Sequence, residues 1–172
     1  YKNGKDGNLY KLELIYYPTT TTDGNPQSLK VPQNDNVIGA DLGDLGNNKE
    51  NYRYHYLLSN NRDQDDFSDI MAVAKAFSLT GAALDAATQQ LLDVNEWMRL
   101  FALQALGGCS DADGQGNPHN LKLYTRPTDG KMMALQWDWD FLFTRGATSS
   151  LFGDSNLAKV TALPTNKHLF YG

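Results

Sequence analysis

The most persistent run of apolar and polar positions lies between residues 94 and 106, VNEWMRLFALQAL. Val94, Trp97, Met98, Phe101 and Ala105 fall three or four apart, the repeat of one helix face, and Leu100, Leu103 and Leu106 widen that stripe. So wide a stripe predicts a helix buried in the protein rather than lying on its surface. Asp93 is the natural cap of its first turn, with Glu96 three residues on completing a capping-box pattern. Gly107-Gly108 predicts its end. A second helix is predicted over 67–78, where Phe67, Ile70, Met71, Ala74 and Phe77 share helical spacing, with Asp65 or Asp66 as cap and Gly81 as breaker. Shorter helices are expected over 83–91 and 155–162, the latter stopped by Pro164.

Elsewhere the period is closer to two. NLYKLELIYY (8–17) reads as a strand, and YRYHYLLS (52–59) as an extended segment whose tyrosines pack at a sheet edge. Between them, residues 18–36 are rich in Pro, Gly, Thr and Asn, which predicts a long exposed loop. Residues 120–126 and 131–139 read as two strands joined by a tight turn. With Thr128-Asp129-Gly130 as a three-residue loop, Pro127 opposes Lys131, Leu123 opposes Leu135, Leu121 opposes Trp137 and Asn120 opposes Asp138. Opposed residues share a face. One face then carries Leu121, Leu123, Met133, Leu135 and Trp137, with Trp139 beyond, so both tryptophans are assigned to core packing. The other carries Asn120, Lys122, Tyr124, Gln136 and Asp138, with Asp140 beyond. This clean sorting favours the three-residue loop over one of two or four residues.

The chain has 172 residues, enough for one domain spanning 1–172, with no internal repeat and no linker unless 18–36 serves as one. A net charge of −5 without a Lys/Arg cluster argues against a general nucleic-acid binder. No apolar run approaches the ~20 residues of a membrane span. Cys109 is the one cysteine, so no internal disulfide forms, and it reads as a small buried hydrophobe. The sequence begins at Tyr1, so any targeting segment is expected outside it.

Candidate chemistry gathers after the main helix. A polar, Gly-rich loop carries Asp111, Asp113, His119 and Asn120, and the proposed register sets Asn120 beside Asp138, with Asp140 two residues on. Oxygen donors without a thiolate suit Mg²⁺, Mn²⁺ or Ca²⁺ rather than zinc. Two plainer readings stand beside this one. Asp, Gly and Asn favour turns regardless of any ligand. Asp111, Asp113 and Gly116 also match the first, third and sixth positions of an EF-hand loop, but Lys122 stands where a bidentate Glu is required. A looser calcium site survives as an alternative. His119 is assigned to hydrogen bonding or packing beside Asn120, and His55 and His168 carry no signal.

The order of buried helix, Asp-bearing loop, Asn, hairpin and Asp is the order used by protein-kinase-like folds. "HNLKLY" (119–124) and "QWDWD" (136–140), flanked by "GNLYKLE" (7–13), "LDVNEWMRLFALQALGG" (92–108), "NLAKV" and "HLFYG", resemble the CotH spore-coat kinase family of secreted and surface proteins. The resemblance implies an α/β (α+β) kinase-like fold, mainly the larger helical lobe with a catalytic hairpin, whose amino-terminal part is expected before Tyr1. It implies that Asp111, or alternatively Asp113, is the catalytic-loop Asp that orients the acceptor hydroxyl. Asn120 and Asp138 become metal ligands, and Asp140 a supporting or second ligand. The implied cofactor is ATP with Mg or Mn, the partner a protein phosphorylated at Ser or Thr, and the location extracellular or at the cell surface. The phosphate-pairing lysine is not fixed by the motif, and Lys11 stands only as a candidate. Two competing functions are a non-catalytic surface or adhesion module that binds Ca²⁺, and a metal-dependent phosphohydrolase. The convergence of Asp111, Asn120 and Asp138 favours the phosphotransferase.

Overall fold

Strand β1 (Leu9–Leu12) sits inside an antiparallel sheet because both of its edges are paired: with β6 (Tyr56–Leu58) on one side and β7 (Leu121–Thr125) on the other. Strand β8 (Met132–Gln136) extends the sheet beyond β7, giving the order β6-β1-β7-β8. The computed structural model describes residues 6–12, 15–16, 19–23, 30–32, 37–38, 42–107, 120–140 and 142–143. Within them lie four helices: α1 (Lys49–His55), α2 (Ser68–Phe77), α3 (Gly81–Leu91) and α4 (Val94–Gly107). The result is a mixed α and β architecture in which helices cover one face of an antiparallel sheet.

The alternation of each strand selects that face. Tyr10, Leu12, Tyr56, Leu121, Leu123, Met132 and Ala134 are buried and meet Ile70, Val73 and Phe77 of α2 and Trp97, Leu100 and Phe101 of α4. Phe77, Trp97 and Phe101 form a chain of tilted rings with neighbouring centroids 5.9 Å apart. Each such side chain stabilises the fold by roughly 1.5–3 kcal/mol of transfer free energy.

The main helix begins at Val94, as its stripe predicts, and runs one residue past the predicted 106, to Gly107. Asp93 caps it, its Oδ1 accepting from the Glu96 N–H at 3.2 Å. The reciprocal half of the capping box is not made. The Asp93 N–H donates to the Met132 carbonyl at 3.1 Å, and the Glu96 carboxylate accepts from the Ala134 N–H at 2.9 Å. The cap is thus spent on the neighbouring strand. Leu103 and Leu106 are exposed while Gln104 is buried, hydrogen-bonded to Gln136, so the buried stripe is narrower than predicted. Helices α2 and α3 fall where expected, and Asp66 accepts from the Ser68 N–H at 2.9 Å in the first turn of α2.

Three expectations change. Residues 52–55 are helical, and only Tyr56–Leu58 is extended. Tyr52 and Tyr56 fit a helical repeat as well as an alternating one, and they stack with centroids 6.0 Å apart, both fully buried. Asn48 starts α1 by accepting from the Glu50 N–H at 3.1 Å. Residues 8–17 do not form one strand, and 18–36 are not simply a loop. Strand β2 (Ile15–Tyr16) pairs with β5 (Val37–Ile38), and β3 (Thr19–Thr21) with β4 (Lys30–Pro32), each a two-stranded sheet.

The third change is the hairpin register. Strands β7 and β8 do pair, but Leu121 opposes Gln136, Leu123 opposes Ala134 and Thr125 opposes Met132. Arg126 and Lys131 close a four-residue loop, Pro127 to Gly130, through Arg126 N–H to Lys131 carbonyl and Gly130 N–H to Arg126 carbonyl, both 2.9 Å. Pro127 has no N–H to give a ladder and a φ suited to a turn, so it enters the loop instead of ending the strand. Gly130 takes a left-handed φ of 70° to finish that loop. One added loop residue slips the register by one and exchanges the faces of β8. Met132 and Ala134 therefore point into the core, and Met133 and Leu135 point away. The predicted helix 155–162 lies outside the described residues.

Candidate functional site at the open end of the hairpin

The two ends of the hairpin are built differently. At the turn, Arg126 donates to Asp93 at 2.6 Å and to Asp129 at 2.5–3.0 Å, tying the loop to the start of α4. Trp97 Nε1 donates to the Met132 carbonyl at 2.9 Å, and Lys131 Nζ to the Gln89 carbonyl at 2.8 Å. The Arg126 guanidinium holds the Asp129 carboxyl below its usual range. Burial pushes Glu96 up to about 6, against the opposing pull of its bond to the Ala134 N–H. A cavity of about 250 Å³ near this end, bounded by Asp69, Leu91, Thr125, Gly130 and Met132, contains none of the predicted site residues.

At the open end stand Asn120 and Asp138, one at the foot of each strand. They are not the opposed pair that the three-residue loop implied. Asn120 is opposite Trp137, whose N–H donates to the Asn120 carbonyl at 3.1 Å. Both Asn120 and Asp138 adopt left-handed backbone, with φ of 59° and 61°. Asn and Asp are the side-chain-bearing residues that enter this region most readily. A left-handed residue turns the chain out of the ladder, so the two-residue alternation that predicted a shared face ends here. Asn120 is buried at 3% exposure, whereas Asp138 and Asp140 are exposed. Asp111, Asp113 and His119 lie outside the described residues, as does Cys109.

Trp137 is corrected as well. The slipped register moves it off the core face, where it is half-buried beneath two lysines. Lys11 Nζ lies 4.3 Å and Lys122 Nζ 5.4 Å from its ring centroid, both within cation–π range. Trp139 remains packed against the core. The lysine pair was not predicted. Its signal was present in two matching triplets, Leu-Lys-Leu at 121–123 and Tyr-Lys-Leu at 10–12, each with a cation between two core residues.

Among the described residues, no three His, Cys, Asp or Glu side chains form a metal-holding group. Asn120, Asp138 and Asp140 supply oxygen donors only, which fits a hard divalent cation. A model of the family described as CotH kinase protein matches residues 2–171. The chain belongs to the CotH kinase family. No curated protein matches it. Asn120 and Asp138, both left-handed, flank the paired strands of the hairpin within the matched residues. No helix among the described residues is long and apolar enough to cross a membrane.

Proposed function

We propose that this chain is the metal- and ATP-dependent phosphotransferase part of a CotH-type atypical protein kinase, with a kinase-like fold, acting on Ser or Thr of secreted or surface proteins. One observation carries the reading: in a CotH kinase family chain, an Asn and an Asp leave the two strands of one hairpin in matching left-handed conformations. Asn120 and Asp138 hold Mg²⁺ or Mn²⁺, with Asp140 in support. A cation held by these residues would supply positive charge for the phosphate oxygens. Asp111, or Asp113, orients the acceptor hydroxyl. The acceptor oxygen forms its bond to the γ-phosphorus as the bond to the ADP oxygen breaks, and the hydroxyl proton passes to that carboxylate. Little covalent chemistry falls to the protein, so positioning and charge dominate.

The test is transfer of labelled γ-phosphate from ATP to protein by the full-length protein with Mg²⁺ or Mn²⁺. Asp138→Asn is expected to abolish transfer with the fold intact. Asp111→Asn is expected to cost orders of magnitude in rate while nucleotide binding persists, with Asp113→Asn as control. Equal transfer by wild type and Asp138→Asn overturns the reading in favour of a non-catalytic surface module. Phosphate release without labelled protein indicates a phosphohydrolase instead.

A further inference from the structure

At the other end of the hairpin from Asn120 and Asp138, a cavity of about 250 Å³ lies between the first turn of α2, the end of α3 and the turn end of β7 and β8. Val73, Leu91 and Met132 give it apolar walls. Asp69 and Thr125 are the most buried polar side chains on its border, Asp69 half-buried and Thr125 at 7% exposure. Asp69 stands in the first turn of α2, where a negative charge suits the helix dipole. The dipole explains the residue type but not why it borders an apolar cleft.

Asp69 is held there without a counter-charge. Its carboxylate accepts from Asn8 Nδ2 at 3.5 Å, a long contact, and no Lys or Arg among the described residues forms an ion pair with it. Burial and the neighbouring Asp66 charge raise its pKa. The Thr125 hydroxyl is near enough to lower that pKa, yet it completes no hydrogen bond and is buried from water. A buried hydroxyl left in that condition is uncommon in folded proteins.

The border selects among ligands. A hard divalent cation needs more oxygen donors than one carboxylate and one hydroxyl, and the described residues hold no metal-binding group here. A guanidinium brings five N–H donors, too many for these acceptors. A neutral ligand leaves the carboxylate uncompensated. A primary ammonium group on a short alkyl chain meets both the charge and the apolar walls. The volume lies just below the roughly 300–1,000 Å³ of ordinary small-molecule pockets, which suits a ligand of few heavy atoms.

We infer that this cavity binds a small alkylammonium ion, with Asp69 pairing with the ammonium group and Val73, Leu91 and Met132 covering the chain. Thr125 keeps Asp69 ionised where burial alone favours the protonated form. None of Asn120, Asp138 and Asp140 borders the cavity, so its occupancy does not depend on phosphotransfer.

The experiment is a ligand-detected NMR titration of the full-length protein with n-butylammonium, and with n-butanol as its neutral counterpart. Wild type is expected to bind n-butylammonium with a dissociation constant on the order of 1 mM, within reach of so few heavy atoms. It is expected to bind n-butanol at least about tenfold more weakly, the loss typical of a hydrogen bond to a charged group. Asp69→Asn is expected to weaken n-butylammonium binding about tenfold or more, to the level of n-butanol. Thr125→Val, which keeps the shape, is expected to cost about threefold. Asp85→Asn, exposed on α3, is expected to change nothing. The comparison of the two ligands uses wild type alone, so it stands even if a variant folds poorly. Nα-acetyl-lysine amide separates the sources: competition with n-butylammonium assigns the site to a protein lysine, and failure to compete assigns it to a free amine. Absence of n-butylammonium binding by wild type overturns the inference. Equal binding of n-butanol, or wild-type affinity in folded Asp69→Asn, overturns it too.

Discussion

The turn end and the open end of the β7–β8 hairpin are about five residue pairs apart, yet they have opposite chemistries. At the turn, Arg126, Asp93, Asp129, Glu96, Trp97 and Lys131 all end on partners, several of them backbone groups of β8 or its neighbours. At the open end, two left-handed residues leave the ladder, carboxylates face solvent, and lysines crowd one ring. The turn end fixes where the strands sit, and the open end is where the proposed function places the cation. The two ends should therefore respond differently to substitution: stability should track the first and metal binding the second.

The largest effect is expected from Trp97→Ala. It empties a fully buried site between Phe77 and Phe101 and removes the donor to Met132. Denaturant unfolding should show a loss of about 3–5 kcal/mol. Asp138→Asn should do the reverse. Its phosphotransfer rate should fall at least about 100-fold, with stability unchanged within about 0.5 kcal/mol, as for other exposed positions. A large stability loss there would erase the distinction between the ends.

A smaller change is expected from Asp93→Ala, which removes the cap of α4. Chemical denaturation should register about 1 kcal/mol. The smallest effect is a pH slope. The Glu96 carboxyl, raised by burial to about 6 from an ordinary 4.5, binds its proton more tightly when folded. A raised carboxyl opposes folding when ionised, so stability is lowest above the folded value. It should rise as pH falls from about 6 towards 4.5 and level off below. Glu96→Gln, which keeps an acceptor for the Ala134 N–H, should flatten that slope in unfolding curves taken across the window. An unchanged slope would assign the titration to another group.

Much of the turn end was legible in the sequence. Asp93, the 94–106 stripe and Gly107-Gly108 mark α4, and two short alternating runs around a Pro-Thr-Asp-Gly turn mark the hairpin. What misled was the register. A three-residue loop sorted the side chains into apolar and polar faces, but that sorting took Leu135 and Trp137 as core residues. The choice was made instead by Pro127, which cannot pair in the ladder, and by α4, whose Trp97 donates to the Met132 carbonyl and whose Glu96 accepts from the Ala134 N–H. Tyr52 and Tyr56 were similarly ambiguous, because a spacing of four satisfies both periods. At the open end, Asn120 and Asp138 were legible as residue types, while their separation from a simple opposed pair was not, since left-handed backbone leaves no mark in the alternation. The lysine pair needed β1 to be known as the neighbour of β7, and that contact is long-range.

The central proposal is that the open end binds a divalent cation through Asn120 and Asp138 with little effect of Asp138 on stability. Thermal unfolding of wild type and Asp138→Asn, each with and without Mn²⁺, tests this most directly. Without metal the two proteins should melt together. At Mn²⁺ about 100 times its dissociation constant, wild type should gain about 2.7 kcal/mol, a shift of roughly 5–10 °C for a chain of this size, and Asp138→Asn should gain little. Equal shifts in the two proteins, or no shift in wild type, would contradict the account.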